Sequence, residues 1–333
     1  MLAQIIQRSW YRKSGLITLL LLPLSAVFCA ISQLRRFLYR NNILQSSRMP
    51  VPVIVVGNIT VGGAGKTPLV IAITQYLKAN GFHPGVISRG YGGKSVKWPQ
   101  AVTVESDPVL VGDEPVLIAN RCRCPVSVGP DRVAAARSLL AAHPCNIIIS
   151  DDGMQHYALA RDIEIAVIDG VRRLGNNLCL PAGPLRELSS RLKSVDLIVA
   201  NGRARSSEYS MELKSYAFQG VNDAAKLKSL NEFEGRQVEA VSGIGNNERF
   251  FQQLQALAIR INKHPFSDHY QFRLKDLLFN GGNPILMTEK DAVKCKKFPL
   301  HDTWYLRVDA LLENRFYEQL NTQLTNLLGK HNG

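Results

Sequence analysis

A glycine-rich turn between a buried strand and a helix constrains the fold of this chain most strongly. Residues 59–70 read ITVGGAGKTPLV, and the run VPVIVVGN before them is β-branched without polar alternation. Such a run is typical of a strand buried on both faces in a parallel sheet. A helical stretch follows from Thr67 to Asn80, and Pro68 suits its first turn because the missing N–H would be unpaired there. This order predicts a phosphate-binding loop, whereas a coincidental glycine-rich turn would not need the flanking strand and helix.

The loop contains the groups that a triphosphate requires. Glycines let backbone N–H groups close around phosphate oxygens, and the helix N-terminus adds the positive end of a dipole. Lys66 is placed to reach the β- and γ-phosphates, and the Thr67 hydroxyl is placed to ligate Mg²⁺. Thr60 occupies the position of the usual first glycine, so we expect the turn to begin differently without losing a phosphate contact. The predicted nucleotide-binding residues are Thr60, Val61, Gly62, Gly63, Ala64, Gly65, Lys66 and Thr67.

Short apolar runs alternate with helical stretches along the rest of the chain. Alternating strands and helices predict a parallel sheet that is covered by helices on both faces. Between residues 202 and 236 the apolar runs thin out while charged residues and serines increase, and a last amphipathic helix is predicted at 310–328. We therefore predict an α/β protein in three parts: a membrane-anchor helix with a basic linker at 1–48, a P-loop NTPase (RecA-like) three-layer α/β/α core at 49–215, and a smaller α/β domain at 216–333.

The N-terminal apolar run, GLITLLLLPLSAVFCAIS at residues 15–32, carries no charge. Its length of about 18 residues is near the lower limit for crossing a bilayer. A signal peptide fits poorly because no small-x-small cleavage site follows, and a buried core helix fits poorly because it would normally show a polar face. Basic residues on both flanks favour a membrane anchor, either a short span or a helix in the interface. The net charge of +13 also favours anionic partners, with a generally basic surface as the alternative explanation.

Adjacent carboxylates follow one predicted strand in IIISDDGMQH, residues 147–156. An acid after a strand, downstream of a phosphate-binding loop, commonly serves the magnesium ion. Asp151 and Asp152 cannot point the same way from a strand, because side chains alternate. We expect one of them to reach the hydration shell of the metal and the other to orient or bind another group. A solvated turn is the alternative interpretation.

Two weaker signals are carboxylates in VGDEPVLIA, residues 111–119, and a histidine in FSDHYQF, residues 266–272. Asp113 and Glu114 are either a helix N-cap pair or a general base near the γ-phosphate, and composition favours neither. A lone histidine such as His269 is more often a packed or capping residue than a catalyst. A guanine-specific site is not supported, because Ser150 replaces the acid of D-x-x-G and no N-K-x-D occurs. ATP is therefore the expected nucleotide.

Taken together, these stretches closely resemble the tetraacyldisaccharide 4'-kinase family, the lipid A 4'-kinases of Gram-negative bacteria. The matching motifs span about residues 50–297, and the apolar anchor matches too. Met154, where an aromatic residue is common, and Asn247, where a proline is common, are small departures. The resemblance makes Thr60 the family's own form of the loop. The motifs are GNITVGGAGKTP, SRGYGG, VGDEP, GPDRVAA, DDGMQH, LPAGPLRE, GIGNNERFF, FSDHYQF and MTEKDAVK.

The resemblance implies transfer of the γ-phosphoryl group of ATP to the 4'-hydroxyl of a tetraacylated glucosamine disaccharide 1-phosphate, which forms lipid IVA in lipid A biosynthesis. By position, Asp113 matches the family's proposed base and His269 its partner, with Lys66 as a third catalytic residue. The implied magnesium-side residues are Thr67, Asp151, Asp152 and Glu187. Less defined contacts to substrate or phosphate are implied for Tyr91, Glu114, Arg132, Gln155, His156 and Arg186.

The same resemblance implies ATP and Mg²⁺ as cofactors, and the acylated disaccharide lipid and membrane lipid as partners. Because ATP is cytoplasmic, we expect the catalytic domains on the cytoplasmic face of the bacterial inner membrane. We expect a monomer, and no nucleic-acid partner, because basic and aromatic residues do not interleave as in an RNA-binding module. The alternative function is a membrane-tethered P-loop ATPase switch, which would require neither VGDEP nor FSDHYQF.

Overall fold

The structure, a computed structural model of the chain, describes residues 2–11 and 15–331. Strands and helices alternate along most of it. The first half contains α1 (Leu2–Ser9), α2 (Leu16–Arg40), β1 (Val53–Gly57), α3 (Lys66–Ala79), β2 (Pro84–Ser88), β3 (Gln100–Val102), α4 (Pro108–Val111), α5 (Asp113–Cys122), β4 (Val126–Val128), α6 (Arg132–Ala142), β5 (Ile147–Asp151), β6 (Ile163–Asp169) and β7 (Leu197–Asn201). The second half contains β8 (Tyr209–Gly220), β9 (Leu227–Lys228), β10 (Gln237–Ser242), α7 (Asn247–Ala256), β11 (Arg260–Pro265), β12 (Ile285–Thr288), α8 (Glu289–Cys295), β13 (Thr303–Leu312) and α9 (Asn314–His331).

All of these strands belong to one continuous sheet. Twelve of them follow the order β11-β10-β12-β13-β8-β7-β6-β1-β5-β2-β4-β3, and β9 pairs with β8. The pairs β8–β13, β8–β9 and β3–β4 are antiparallel, and the other pairs are parallel. The predicted α/β class with a mainly parallel sheet is therefore confirmed.

Burial of the central strand explains why its sequence lacks polar alternation. All five residues of β1 are buried. Ile54 and Val56 pack in a core shared with α3, whereas Val53 and Val55 pack in a second core shared with α6. Successive side chains of a strand point to opposite faces, so the two cores lie on the two faces of the sheet. This layering leaves the carboxyl ends of the strands and their loops for a site.

Strand β8 is the main element that the apolar pattern does not predict. It alternates between buried or half-buried residues and exposed ones such as Glu212 and Lys214, and so lacks an apolar run. Through β8 the strands of the first half join those of the second half, since it pairs with both β7 and β13. The predicted boundary at residue 215 falls inside this strand, and the division into two domains stays a prediction.

The start of the last helix is wrong in the sequence-based prediction. A helix was expected from residue 310, but Ala310 to Leu312 complete β13 and pair with β8, and α9 begins at Asn314. The amphipathic spacing over 310–313 is compatible with helix, but the pairing with a neighbouring strand overrides such local preferences.

Helix α2 is apolar on its outward side. In the part of the chain that the structure describes, α2 is the one helix long and apolar enough to cross a membrane, and 11% of its most apolar window is buried. Its two buried residues, Thr18 and Ser25, are hydroxylic. The large apolar residues exposed along it are Leu16, Ile17, Leu19, Leu20, Leu22, Leu24, Val27, Phe28, Ile31, Leu34 and Phe37.

The core contact of α9 generates a stability prediction. The Phe316 side chain is fully buried, in the same core as α3. Phe316→Ala should lower the free energy of unfolding by about 3–5 kcal/mol, because it removes buried area and leaves a cavity. Chemical denaturation followed by circular dichroism measures the loss, with the more exposed Leu328→Ala as control. A loss no larger than that of the control would contradict this packing.

Candidate active site

The phosphate-binding loop lies between β1 and α3, as its sequence predicts. Gly62 and Gly65 have φ angles of 107° and 98°, in the left-handed region that favours glycine. A Cβ atom on Gly65 would lie 2.8 Å from the side-chain amide nitrogen of Asn201, and that nitrogen donates a hydrogen bond to the Ala64 carbonyl at 3.1 Å. The glycines therefore serve both the turn and the close approach of a neighbouring strand end.

The position of Thr60 explains why this loop needs no first glycine. Thr60 forms an antiparallel bridge with Leu185. The flanking backbone N–H groups of Val61 and Arg186 donate to carbonyl oxygens across the same pairing at 2.8 and 2.7 Å. Thr60 is not among the residues of positive φ. A residue paired in this way has ordinary extended geometry, so threonine fits where a free loop would need glycine.

Lys66, the first residue of α3, faces one of the two adjacent carboxylates. Its Nζ lies 3.5 Å from Oδ1 of Asp152 and 3.4 Å from Oδ1 of Asn58. The guanidinium of Arg186 contacts both carboxylate oxygens of Asp152, at 3.1 and 3.2 Å. Burial alone would raise the pKa of Asp152, but Lys66 and Arg186 hold it below its usual value. Asp152 is thus an ionised partner of two cations that stand beside the loop.

Asp151 lies in the opposite electrostatic situation. It is buried, and among the described residues its Oδ1 has no hydrogen-bond partner, while its Oδ2 accepts a long hydrogen bond of 3.5 Å from Ser88. Burial first, and then the charges of Glu114 and Asp152, raise the pKa of Asp151 to about 7. The two neighbouring aspartates therefore have different partners. Strand alternation is not the cause, because β5 ends at Asp151 and Asp152 adopts a left-handed turn conformation with a φ of 50°.

This arrangement fits a magnesium ion that is held together with phosphate oxygens. Among the described residues, no three His, Cys, Asp or Glu side chains form a ready metal cage. Mg²⁺ usually binds one or two carboxylates and takes its other ligands from water and phosphates. The unpaired oxygen of buried Asp151, and Thr67 in the first turn of α3, offer that donor set. Which aspartate ligates the metal stays a prediction.

Glu187 is engaged by protein groups in this structure. One carboxylate oxygen accepts from Nε2 of Gln155 at 2.8 Å. The other accepts from the hydroxyl of Tyr157 and lies 3.6 Å from Nε of Arg191. These contacts hold the segment that carries Arg186 toward Asp152. A magnesium-side role of Glu187 stays a prediction, and it would require the carboxylate to share these donors.

Arg132 and His156 support the loop that carries the aspartates. The Arg132 guanidinium donates to the carbonyl oxygens of Gly129 at 3.0 Å and Asp152 at 3.4 Å. Burial lowers the pKa of Arg132 to about 10, so it stays charged near neutrality. Nε2 of His156 accepts the backbone N–H of Arg132 at 3.2 Å, and burial lowers the pKa of His156 to about 4. A neutral His156 therefore acts as a hydrogen-bond acceptor here.

Asp113 and His269 form a close pair although 156 residues separate them in the chain. Nδ1 of His269 lies 3.1 Å from each carboxylate oxygen of Asp113, the first residue of α5. Burial would raise the pKa of Asp113, but the hydrogen bond from His269 and the charge of Lys290 lower it below its usual value. The Asp113 carboxylate therefore pairs with a histidine and is more than a helix-capping group.

Lys290 is a site residue that the sequence did not single out. Its Nζ lies 3.3 Å from Nε2 of His269, 3.1 Å from Oε1 of Glu114 and 3.5 Å from Oδ1 of Asp268. Because an ammonium group can only donate, Nε2 offers its lone pair and the ring proton lies on Nδ1, facing Asp113. The signal available in the sequence was a lysine in the motif MTEKDAVK, at the start of α8.

A cavity of about 340 Å³ opens beside this pair. Tyr91, in the motif SRGYGG, lines it, and its ring centroid lies 5.0 Å from that of His269. Tyr91 follows β2 by three residues, and Ser88, the last residue of β2, contacts Asp151 at 3.5 Å, so the cavity opens at the same strand ends as the loop site. Other residues that line the cavity include Asp113, Phe272, Arg273, Lys294 and Lys297.

Comparisons with known proteins agree over nearly the whole chain. The family model described as LpxK, tetraacyldisaccharide-1-P 4'-kinase, matches residues 17–325. This chain belongs to that family. The tetraacyldisaccharide 4'-kinase of Nitrosococcus oceani is 50% identical over 96% of this chain and 94% of its own length. That of Methylobacillus flagellatus is 48% identical over 98% and 97%. These matches confirm the resemblance on which the site residues were assigned.

A solved structure supports the architecture as well. The crystal structure of LpxK from Aquifex aeolicus in complex with ATP superposes with a TM-score of 0.81 at 28% identity. The match covers 93% of this chain and 99% of that chain. The expected P-loop α/β/α kinase fold is therefore confirmed.

The contact of Lys290 with the histidine generates a prediction about its titration. The hydrogen bond to Asp113 raises the pKa of His269, while burial and the charge of Lys290 oppose that rise. In Lys290→Met the opposing charge is gone, so the pKa of His269 should rise further, and Lys290→Arg should preserve it. NMR titration of the ring nitrogens measures both. Lys297→Met, which removes a cavity-lining cation without a contact to His269, is the matched control; an unchanged or lower pKa in Lys290→Met would contradict the assignment.

Proposed function

We propose that this protein is an ATP-dependent phosphotransferase, a tetraacyldisaccharide 4'-kinase. It transfers the γ-phosphoryl group of ATP to the 4'-hydroxyl of a tetraacylated glucosamine disaccharide 1-phosphate and so forms lipid IVA. The observation that carries the proposal is the pairing of Asp113 with His269 at a cavity that opens beside the end of β2, where Ser88 contacts Asp151 of the loop site. Phosphoryl transfer to an alcohol requires both a triphosphate site and a base for the acceptor, and one chain supplies both.

The donor side works mainly by position and charge. Backbone N–H groups of the loop and the N-terminus of α3 bind the phosphates, and Lys66 stands at that N-terminus. Arg186 contributes a second positive charge through its contact with Asp152. Thr67 and one of Asp151 and Asp152 would hold Mg²⁺, which would supply neutralisation of the negative charge on the phosphates. These groups hold the transferred phosphoryl group in line with the acceptor oxygen, which lowers the entropic part of the barrier.

The acceptor side depends on Asp113 staying ionised. Its lowered pKa keeps it unprotonated near neutral pH, so it can accept the proton of the sugar hydroxyl late in the transfer. His269 donates Nδ1–H to both carboxylate oxygens and thereby fixes their orientation. Lys294, with Nζ 3.9 Å from Oδ2, reduces the cost of holding the carboxylate charge in a buried position.

A membrane-tethered ATPase switch is the alternative class, and one assay separates the two. A switch would hydrolyse ATP without an organic acceptor and has no use for the Asp113–His269 pair or its cavity. Labelled ATP should pass its γ-phosphate to the disaccharide lipid, measured by thin-layer chromatography. If labelled inorganic phosphate is released while the lipid stays without label, the kinase assignment is contradicted.

The base assignment predicts a specific kinetic defect. Asp113→Asn keeps the shape of the side chain but cannot accept the proton, so kcat should fall by about 10²–10⁴. The affinity for ATP should persist, because Asp113 lies outside the phosphate-binding loop. Steady-state kinetics and titration with a fluorescent ATP analogue measure the two quantities. A wild-type kcat would remove Asp113 from the chemistry.

We also propose that α2 seats the enzyme in the cytoplasmic leaflet of the inner membrane, rather than spanning it. The helix contacts the body of the protein from Ser25, which bonds Cys179, to Arg36, which bonds Ser194. A spanning orientation would carry this body segment, including its charged side chains, into hydrocarbon at high cost. The acyl chains of the lipid substrate also have to stay in the bilayer, because each CH₂ group drawn out of it costs about 0.8 kcal/mol.

The outward face of α2 should control membrane binding. Leu20 and Ile31 are 70% and 62% exposed and lie on the side opposite the buried hydroxyls. The double variant Leu20→Ser/Ile31→Ser should lower partition into anionic phospholipid vesicles at least about tenfold, because two large apolar contacts are lost. Sedimentation measures partition, with Val96→Ser/Leu278→Ser, also exposed, as control. Equal partition of both variants would refute seating through this face.

A further inference from the structure

Helix α2 shows its polar side to the protein and its apolar side to the outside. Thr18, Ser25 and Ser32 recur every seven residues and so share one face. Thr18 and Ser25 are 3% and 4% exposed. A helix that packs on a soluble domain has the opposite arrangement, with its apolar stripe inward. Membrane attachment explains the apolar side, but it does not explain a hydroxyl stripe that faces the catalytic body.

Two hydroxyls of this stripe, those of Ser25 and Ser32, form hydrogen bonds with one segment of the body. This segment, residues 179–187, is here called the support segment. Oγ of Ser25 donates to the carbonyl oxygen of Cys179 at 2.7 Å in a buried position. Oγ of Ser32 donates to the carbonyl oxygen of Arg186 at 3.2 Å. The two contacts therefore hold both ends of the support segment from the membrane side.

A residue before α2 completes the docking. Nε1 of Trp10 donates to the carbonyl oxygen of Pro181 at 2.9 Å, and the Trp10 side chain is buried. The Trp10 carbonyl in turn accepts the backbone N–H of Asn176 at 2.8 Å. Three side-chain donors from the N-terminal helical region thus reach three carbonyl oxygens of the same short segment.

The support segment in turn holds the start of the phosphate-binding loop. Leu185 bridges Thr60, and the backbone N–H groups of Val61 and Arg186 bond across that pairing. The Arg186 side chain reaches Asp152, which also faces Lys66. A continuous set of hydrogen bonds and ion pairs therefore leads from α2, through the support segment, to the loop lysine.

We propose that two hydroxyls of the α2 stripe, those of Ser25 and Ser32, are positioning groups of the nucleotide site. By holding the support segment, Ser25 and Ser32 fix the start of the loop and the Arg186–Asp152 pair, so seating of α2 at the membrane also sets the geometry of phosphate binding. Removing the Ser25 hydroxyl leaves the Cys179 carbonyl with only the Gly183 N–H as donor, at 2.9 Å, and removing the Ser32 hydroxyl takes away the hydrogen bond from α2 to the Arg186 carbonyl. The support segment is then no longer held by α2 and can shift. The identity of the nucleotide rests on the proposed function, but the positioning role does not require lipid phosphorylation.

The test compares inward and outward variants of the full-length protein in detergent and in vesicles. Ser25→Ala/Ser32→Ala should weaken binding of a fluorescent ATP analogue by about fivefold to 150-fold, the range that two lost hydrogen bonds span. The KM for ATP should rise in parallel, while vesicle partition stays at the wild-type value. Leu20→Ser/Ile31→Ser should show the reverse, with poor partition and wild-type nucleotide affinity in detergent. Ser25→Ala/Ser32→Thr, which returns one hydroxyl, should bind the analogue more tightly than Ser25→Ala/Ser32→Ala.

Thr18→Val is a matched control within the same stripe. The Thr18 side chain is buried, and its hydroxyl has no hydrogen-bond partner among the described residues, so its loss should leave nucleotide affinity unchanged. Wild-type affinity in a folded Ser25→Ala/Ser32→Ala variant would overturn the proposal, as would an equal loss in Thr18→Val. If the wild type binds the ATP analogue but phosphorylates no lipid, the kinase function fails while the affinity comparison still decides the positioning role.

Discussion

The pairing of Thr60 with Leu185 is the contact on which the nucleotide site depends. It joins the start of the phosphate-binding loop to a segment far along the chain, and the same segment delivers Arg186 to Asp152. A loop that is tied in this way needs fewer glycines, because its first residues are held in extended geometry rather than left free. The departure from the usual glycine pattern is therefore a consequence of a tertiary contact. With threonine at this position the loop has less conformational freedom, and its first residues are attached to the neighbouring segment.

Charge placement separates two tasks that carboxylates perform in this site. Asp152 is held between Lys66 and Arg186 and stays ionised, whereas Asp151 is buried with an unpaired oxygen and a raised pKa. Near the cavity, Asp113 resembles Asp152, because a histidine and nearby lysines compensate its charge. Carboxylates with cationic partners suit roles that need fixed charge. A carboxylate with an open oxygen suits a ligand that arrives with the nucleotide, since a divalent cation would stabilise its ionised form.

Local patterns sufficed for the parts of the fold that local interactions determine. β1, its glycine-rich turn and α3 follow from burial, backbone freedom and helix signals within one stretch of chain. β8 did not follow, because its residues alternate between a half-buried and an exposed face and its identity depends on β7 and β13. The pairing of Asp113 with His269 came only from the family resemblance, since residues 156 positions apart carry no mutual signal in one sequence. Lys290 and the role of Leu185 were missed for the same reason.

The orientation of α2 is the feature that local sequence patterns predict least well. Its sequence predicts an apolar helix, and hydropathy alone does not reveal that three hydroxyl groups face inward. Two surroundings act on this helix: hydrocarbon contacts the outer side, and on the inner side backbone carbonyls of the body accept hydrogen bonds from Ser25 and Ser32. In hydrocarbon a buried hydroxyl without a partner is costly, so the stripe favours contact with the support segment over free insertion. The membrane and the catalytic body therefore each stabilise one face of α2, and the helix is held where those two surfaces meet.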